Sequence, residues 1–184
     1  MLGWLLVAGW AGAAGLLRPL RPPMPQVLIV GLATLVGVLG LTVARLRAWL
    51  AAVDERVIVA LHLTRFVGVY FLVLHGRGQL PYAFAVPGGW GDIAVAGAAI
   101  VLITATRATS RGGWMAYSVW NLAGLLDILF VVVTAGRLGL QDPNALQVLL
   151  RLPLSLLPTW LVPLILSTHV LLGVRLAQQR PTVS

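Results

Sequence analysis

Apolar residues fill the chain in long runs, and short clusters of arginine, proline and glycine punctuate them. Runs of roughly 17–25 residues match the length of a bilayer-spanning helix. The pattern predicts six such helices, over about 2–17, 25–50, 57–75, 90–106, 114–136 and 158–176. The first is the shortest, and a signal peptide is its rival, though no basic segment precedes the apolar run. The second covers twenty uncharged residues and continues through Arg45 and Arg47. No succession of alternating ten-residue strands is present, so a β-barrel is excluded. The backbone groups must then be satisfied inside helices.

Two segments break the pattern. Residues 79–91 are apolar at Tyr82 to Val86 but carry Pro81, Pro87, Gly88, Gly89 and Gly91. Such a density of helix breakers predicts a short re-entrant or interfacial piece. It places Asp92 in the first turn of the helix that follows, where a carboxylate favours the N-terminal dipole. Residues 143–152 follow Asp142-Pro143, which reads as a cap and first helical position. Leu146, Leu149 and Leu150 then share a face, as in a helix lying in the interface.

Composition narrows the class. The 184 residues are 59% hydrophobic and only 10% charged, far below the ~25% of soluble domains. Mean hydropathy is +0.95. The chain therefore reads as an all-α integral membrane bundle of one domain. The net charge is +8, carried by thirteen arginines and no lysine. At the ends of apolar helices arginines meet lipid headgroups and set orientation, so the excess does not point to nucleic acid. With six spans, seven arginines (45, 47, 56, 107, 111, 175 and 180) face five (18, 21, 77, 137 and 151), which favours cytoplasmic termini. The absence of cysteine excludes disulfides and thiol chemistry.

Against that background a few polar side chains fall inside apolar runs. Ionisable groups at such depth are costly and face other helices or a cavity. From a rise of 1.5 Å per residue, Arg65 lies roughly 12 Å deep, Asn121 and His169 about 10 Å, and Asp127 about 19 Å. An extended arginine bridges that difference. His62 lies one turn from Arg65 on the same face. The sequence thus predicts a buried polar site of Arg65, Asp127, Asn121, His169 and His62 between the third, fifth and sixth helices. Pro87, Gly88, Gly89, Gly91 and Asp92 would form its mouth. His75 and the tryptophans at 49, 90, 114 and 160 read as interfacial anchors.

Other chemistries are weaker. Haem b needs axial histidines across helices, and His62 with His169 is the best match in depth. A metal hydrolase lacks a His/Glu cluster, since Glu55 is the sole glutamate and lies in a loop. Gly88-Gly89-Trp90-Gly91 resembles an anion-binding turn but lacks the Lys-Ser/Thr of a nucleotide loop.

Arg65-Phe66-x-Gly68, Leu80-Pro81 through Phe84-Ala85, Pro87, Gly88 and Gly91-Asp92, then Trp120-Asn121-x-x-Gly124-x-x-Asp127, and finally Pro158, Pro163 and His169 form a series of short motifs. In these the chain resembles a family of small, uncharacterised bacterial polytopic inner-membrane proteins. The resemblance covers more than half the chain, leaves out the first two helices, and implies class and location rather than activity. A small-solute or proton-linked membrane protein is the first functional expectation. A non-catalytic scaffold or partner subunit, in a membrane complex or a homo-oligomer, is the second. A haem-binding redox protein is the third.

Overall fold

The computed structural model describes residues 2–179, and among them the regular structure is entirely helical. Arg180, counted above among the cytoplasmic arginines, and the polar tail beyond it lie outside the described residues. Five helices are long and apolar enough to cross a membrane: Met24–Thr42, Glu55–Gly76, Tyr82–Ala105, Arg111–Gln141 and Leu157–Gln178.

The first of the six predicted helices is shorter than expected. Helix α1 (Leu2–Ala13) has 12 residues, about 18 Å of rise against roughly 30 Å of hydrocarbon. Gly15, at φ 71°, turns the chain soon after it, so Leu16 and Leu17 do not extend the helix. The small residues Ala8 and Gly12 are its buried positions. Trp4 Nε1 donates to Thr159 O at 2.9 Å, and Gly12 sits against Ser155 and Leu152. Thus α1 packs on the 152–159 segment.

Helix α2 (Met24–Thr42) starts at a proline-rich turn and ends at Val43, whose backbone is extended. Helix α3 (Ala44–Ala52) follows, so the single predicted helix over 25–50 is two. The third span is α4 (Glu55–Leu61), a 3₁₀ segment (His62–Phe66) and α5 (Val67–Gly76). Asp54 caps α4 by accepting from Arg56 N at 2.8 Å.

Helix α6 (Tyr82–Ala105) corrects the re-entrant expectation for 79–91. The chain is helical from Tyr82, straight through Pro87, and Asp92 lies mid-helix rather than in a first turn. In an apolar segment, unpaired backbone groups cost more than the single hydrogen bond that a proline removes. The glycines serve packing instead. Gly89 lies against Gly68 O and Gly88 against Val131.

Helix α7 (Arg111–Gln141) is capped by Ser110 Oγ, which accepts from Gly113 N at 3.0 Å. Its 31 residues run past both predicted ends and rise about 46 Å. The interfacial helix predicted over 143–152 is instead a series of turns with a 3₁₀ piece at Gln147–Leu150. Asp142 Oδ1 accepts from Asn144 N at 2.9 Å, closing a local turn at the position where an N-cap was expected. The last span opens with a π-turn (Leu157–Leu161) and continues as α8 (Val162–Gln178).

Helix α6 packs between α5 and α7, and α8 packs against both α2 and α7. Two apolar clusters fill the interior. One gathers Phe71, Leu74, Phe84, Ile128 and Ile165. The other gathers Val59, Ala99, Tyr117, Leu172 and Leu176.

Candidate functional site

The site is centred on Arg65, whose side chain is wholly buried. It stands ten residues after Glu55 and eleven before Gly76, so near the middle of its span. The local 3₁₀ winding aims it. In that geometry side chains three apart eclipse, so His62 and Arg65 point the same way into the bundle. Thr64 Oγ1 donates back to Leu61 O at 2.7 Å within the same turn.

Arg65 uses its whole fork. Nε donates to Asp92 Oδ1 at 2.7 Å, Nη1 to Gly124 O at 2.9 Å, and Nη2 to Asp127 Oδ2. One guanidinium is thus shared by carboxylates from α6 and α7. The two are not equivalent. The Asp92 side chain is 5% exposed, that of Asp127 18%. A charge-assisted set of this kind holds its geometry well, but its stability depends on every partner being present.

Glycines make the approach possible. A Cβ at Gly68 would overlap Gly89 O and lie 2.9 Å from Asp92 Cβ. One at Gly124 would lie 2.6 Å from His169 Cε1. Each glycine lets a neighbouring backbone or ring come to contact distance.

His169 of α8 also reaches Arg65. Its Nε2 lies 3.5 Å from Arg65 Nη1, and its Nδ1 lies 2.9 Å from Asn121 Oδ1. Asn121 Nδ2 donates to His169 O at 3.0 Å. With the amide nitrogen so engaged, Oδ1 accepts from Nδ1–H, and Nε2 turns its lone pair toward Arg65. The His62 ring lies 4.3 Å from that of His169 and 5.0 Å from Trp120, centroid to centroid. His62 Nε2 is 3.2 Å from Thr168 Oγ1, while its Nδ1 has no hydrogen-bond partner. Trp120 is fixed by donation from Nε1 to Val95 O at 3.0 Å.

Beside the ion pairs lies a cavity of about 80 Å³. Arg65 and Asp92 form its polar end, and Phe71, Phe84, Ile128 and Ile165 are among its apolar walls. Leu146 and Leu149, from the turn-rich segment before the π-turn, close another side.

The five residues predicted as a buried polar set are brought together. The predicted mouth is not. Pro87 is exposed on the outer face of α6, and Gly88, Gly89 and Gly91 are helix-packing positions. Asp92 alone of that group lines the cavity, and it belongs to the centre. Gly68, Gly124, Trp120 and Thr168 went unassigned to the site by sequence reasoning, although all four lie within one turn of a predicted member. His75 stands apart, 3.0 Å from Leu80 O at the end of α5. Among the described residues no group of three or more His, Cys, Asp or Glu side chains is placed to hold a metal ion.

Fold and site together define a class: an all-helical protein with several helices long and apolar enough to cross a membrane, gathered on a buried arginine held between two carboxylates. Within that class, the chain belongs to the family described as domain of unknown function DUF8737, whose model matches residues 22–177. The match takes in α2, beyond the motifs of the resemblance, and leaves out α1. No curated protein and no solved structure matches the chain.

Proposed function

We propose that this is an integral protein of a bacterial cytoplasmic membrane that couples binding of a small solute to proton movement through Arg65, Asp92 and Asp127. The observation that carries the reading is the sharing of one wholly buried guanidinium by two carboxylates, one of which lines a cavity. With both carboxylates ionised, the trio has one surplus negative charge in a medium where charge is expensive. A proton on one carboxylate neutralises it, and so does a cationic ligand. Occupancy by one disfavours the other, and that competition is a coupling device.

With five spans, arginines 45, 47, 56, 107, 111 and 175 fall on one side and 18, 21, 77, 137 and 151 on the other. Six against five favours a cytoplasmic C-terminus with the α1 side outside. Haem has no part in this reading. The rings of His62 and His169 touch, so no macrocycle fits between them.

The test uses proteoliposomes holding a pH-sensitive dye. External amines, carboxylates and polyols are added in turn. At least one should move protons with the wild type, and Asp92→Asn and Asp127→Asn should abolish the signal. Folded variants that move protons as the wild type does would remove the trio from the mechanism.

A second reading, a scaffold or partner subunit, draws on the tight glycine contacts at Gly68 and Gly124. In it the charges only lock helix packing. It predicts that neutralising all three charges leaves every activity of the membrane complex intact.

A further inference from the structure

We infer that the cavity beside Asp92 is a binding site for a small organic monocation, an alkylammonium of about five non-hydrogen atoms. The inference rests on the proton-coupled reading of the same site and names its ligand class. Three observations converge on it.

The first is size. A water molecule needs about 10–15 Å³ of such space, so about 80 Å³ has room for roughly five to eight, enough for a short chain of about five linked non-hydrogen atoms. The second is the wall. Apart from Arg65, Asp92 and Gln26 the lining side chains are apolar. Ordered water needs two to four polar partners each, which this surface does not provide for several waters. A hard cation such as calcium or magnesium would need six or more oxygen ligands or a retained water shell, and the walls supply neither. A hydrocarbon chain fits them.

The third is charge. Arg65 already serves Asp92, Asp127 and Gly124 O, so it has no unshared edge for an anion. An anion entering here would meet two carboxylates. A cation meets the surplus negative charge, and Asp92 faces the cavity with it. Phe71 and Phe84, whose centroids lie 5.4 Å apart, both line the cavity and add aromatic surface to its wall.

The exchange balances. The ammonium enters with one positive charge and pairs with the Asp92 carboxylate. The proton that Asp92 carried leaves as the counter-charge. No covalent bond other than the O–H of Asp92 is broken.

The experiment is calorimetric titration of the full chain, purified in detergent, with n-butylammonium, n-butanol and butyrate. Repeating it in two buffers of different ionisation enthalpy counts protons released. n-Butylammonium should bind saturably and release up to one proton, while butanol and butyrate should bind at least tenfold more weakly. Asp92→Asn should weaken n-butylammonium at least tenfold. Ile29→Phe fills the cavity from α2 without touching the ion pairs, and should have the same effect if Asp92→Asn does not fold. Equal binding of butanol, or undiminished binding by both variants, overturns the inference. So does absence of binding by a wild type whose proton movement in liposomes still depends on Asp92, a result that leaves the proposed function standing. Binding without proton release supports the site and removes the coupling instead.

Discussion

Gly91 on α6 vacates the space that the Asp127 carboxylate of α7 occupies: a Cβ built on Gly91 would overlap Asp127 Oδ1. The missing side chain is what lets Asp127 reach across the helix seam to Arg65. Gly91→Ala should therefore act on the ion pair rather than on helix propensity, which alanine improves. Overpacking of this kind costs about 1–3 kcal/mol. Gly97→Ala is the control, because a Cβ there meets nothing within 4 Å. Thermal unfolding in detergent should place Gly91→Ala below the wild type and Gly97→Ala at or above it. Equal midpoints for both variants would mean that Asp127 has another way to Arg65.

The charges should be strongly non-additive. Arg65→Met leaves two carboxylates facing each other in the bundle centre, and breaking one partner from such a set costs about 3–5 kcal/mol. Adding Asp92→Asn and Asp127→Asn removes the uncompensated charges. The triple variant should then recover most of the loss, since a fully neutral core of similar volume is often as stable as an ionic one. Denaturant midpoints of the single and triple variants decide it. A triple variant as unstable as the sum of its parts would show that the three groups do not act as a unit.

Much of this arrangement was legible from residue types and spacing. Arg65, Asn121, Asp127 and His169 announce themselves because ionisable and amide groups are rare inside runs of leucine and valine. In Trp120-Asn121-x-x-Gly124-x-x-Asp127, helical spacing places all four residues on or beside one face, and the structure uses each of them in the site. Asp92 was misread for a physical reason. Proline and glycine at 87–91 are breakers by propensity, yet propensity is a weak prior where backbone pairing is compulsory and neighbours need small residues to approach. The 3₁₀ winding at His62–Phe66 was not legible either. Nothing in HLTRF marks it. The short reach of α1 was foreshadowed by its sixteen uncharged residues and fixed by the turn at Gly15.

Asn121 and His169 form a reciprocal pair, with Asn121 holding both the ring and the backbone carbonyl of the histidine. Removing either side leaves buried polar atoms unpaired, at about 1–3 kcal/mol. Asn121→Leu and His169→Phe should each destabilise, and the double variant should lose clearly less than the sum, because both single changes break the same bonds. A double-mutant cycle on unfolding free energies reads the coupling directly. Additivity within ~0.5 kcal/mol would show that the pair is not energetically joined.

At the far end of α8, Arg175 gathers the end of α3. Its Nη1 donates to Leu50 O at 3.1 Å and to Val53 O, and its Nη2 lies 3.4 Å from Glu55 Oε2. The last carbonyls of a helix lack intrahelical donors, so an arginine fork at that point both satisfies them and ties α3 to α8. Lysine keeps the charge but has no planar fork to serve two carbonyls and a carboxylate together. Arg175→Lys should thus loosen α3 while the centre of the bundle stays intact. Hydrogen exchange is the measurement. Amides over 44–56 should exchange faster in Arg175→Lys, whereas those around Arg65 and Asp92 should keep wild-type protection. Uniformly faster exchange through the bundle would instead make Arg175 a determinant of global stability. Unchanged exchange over 44–56 would mean that α3 is held by its apolar contacts alone.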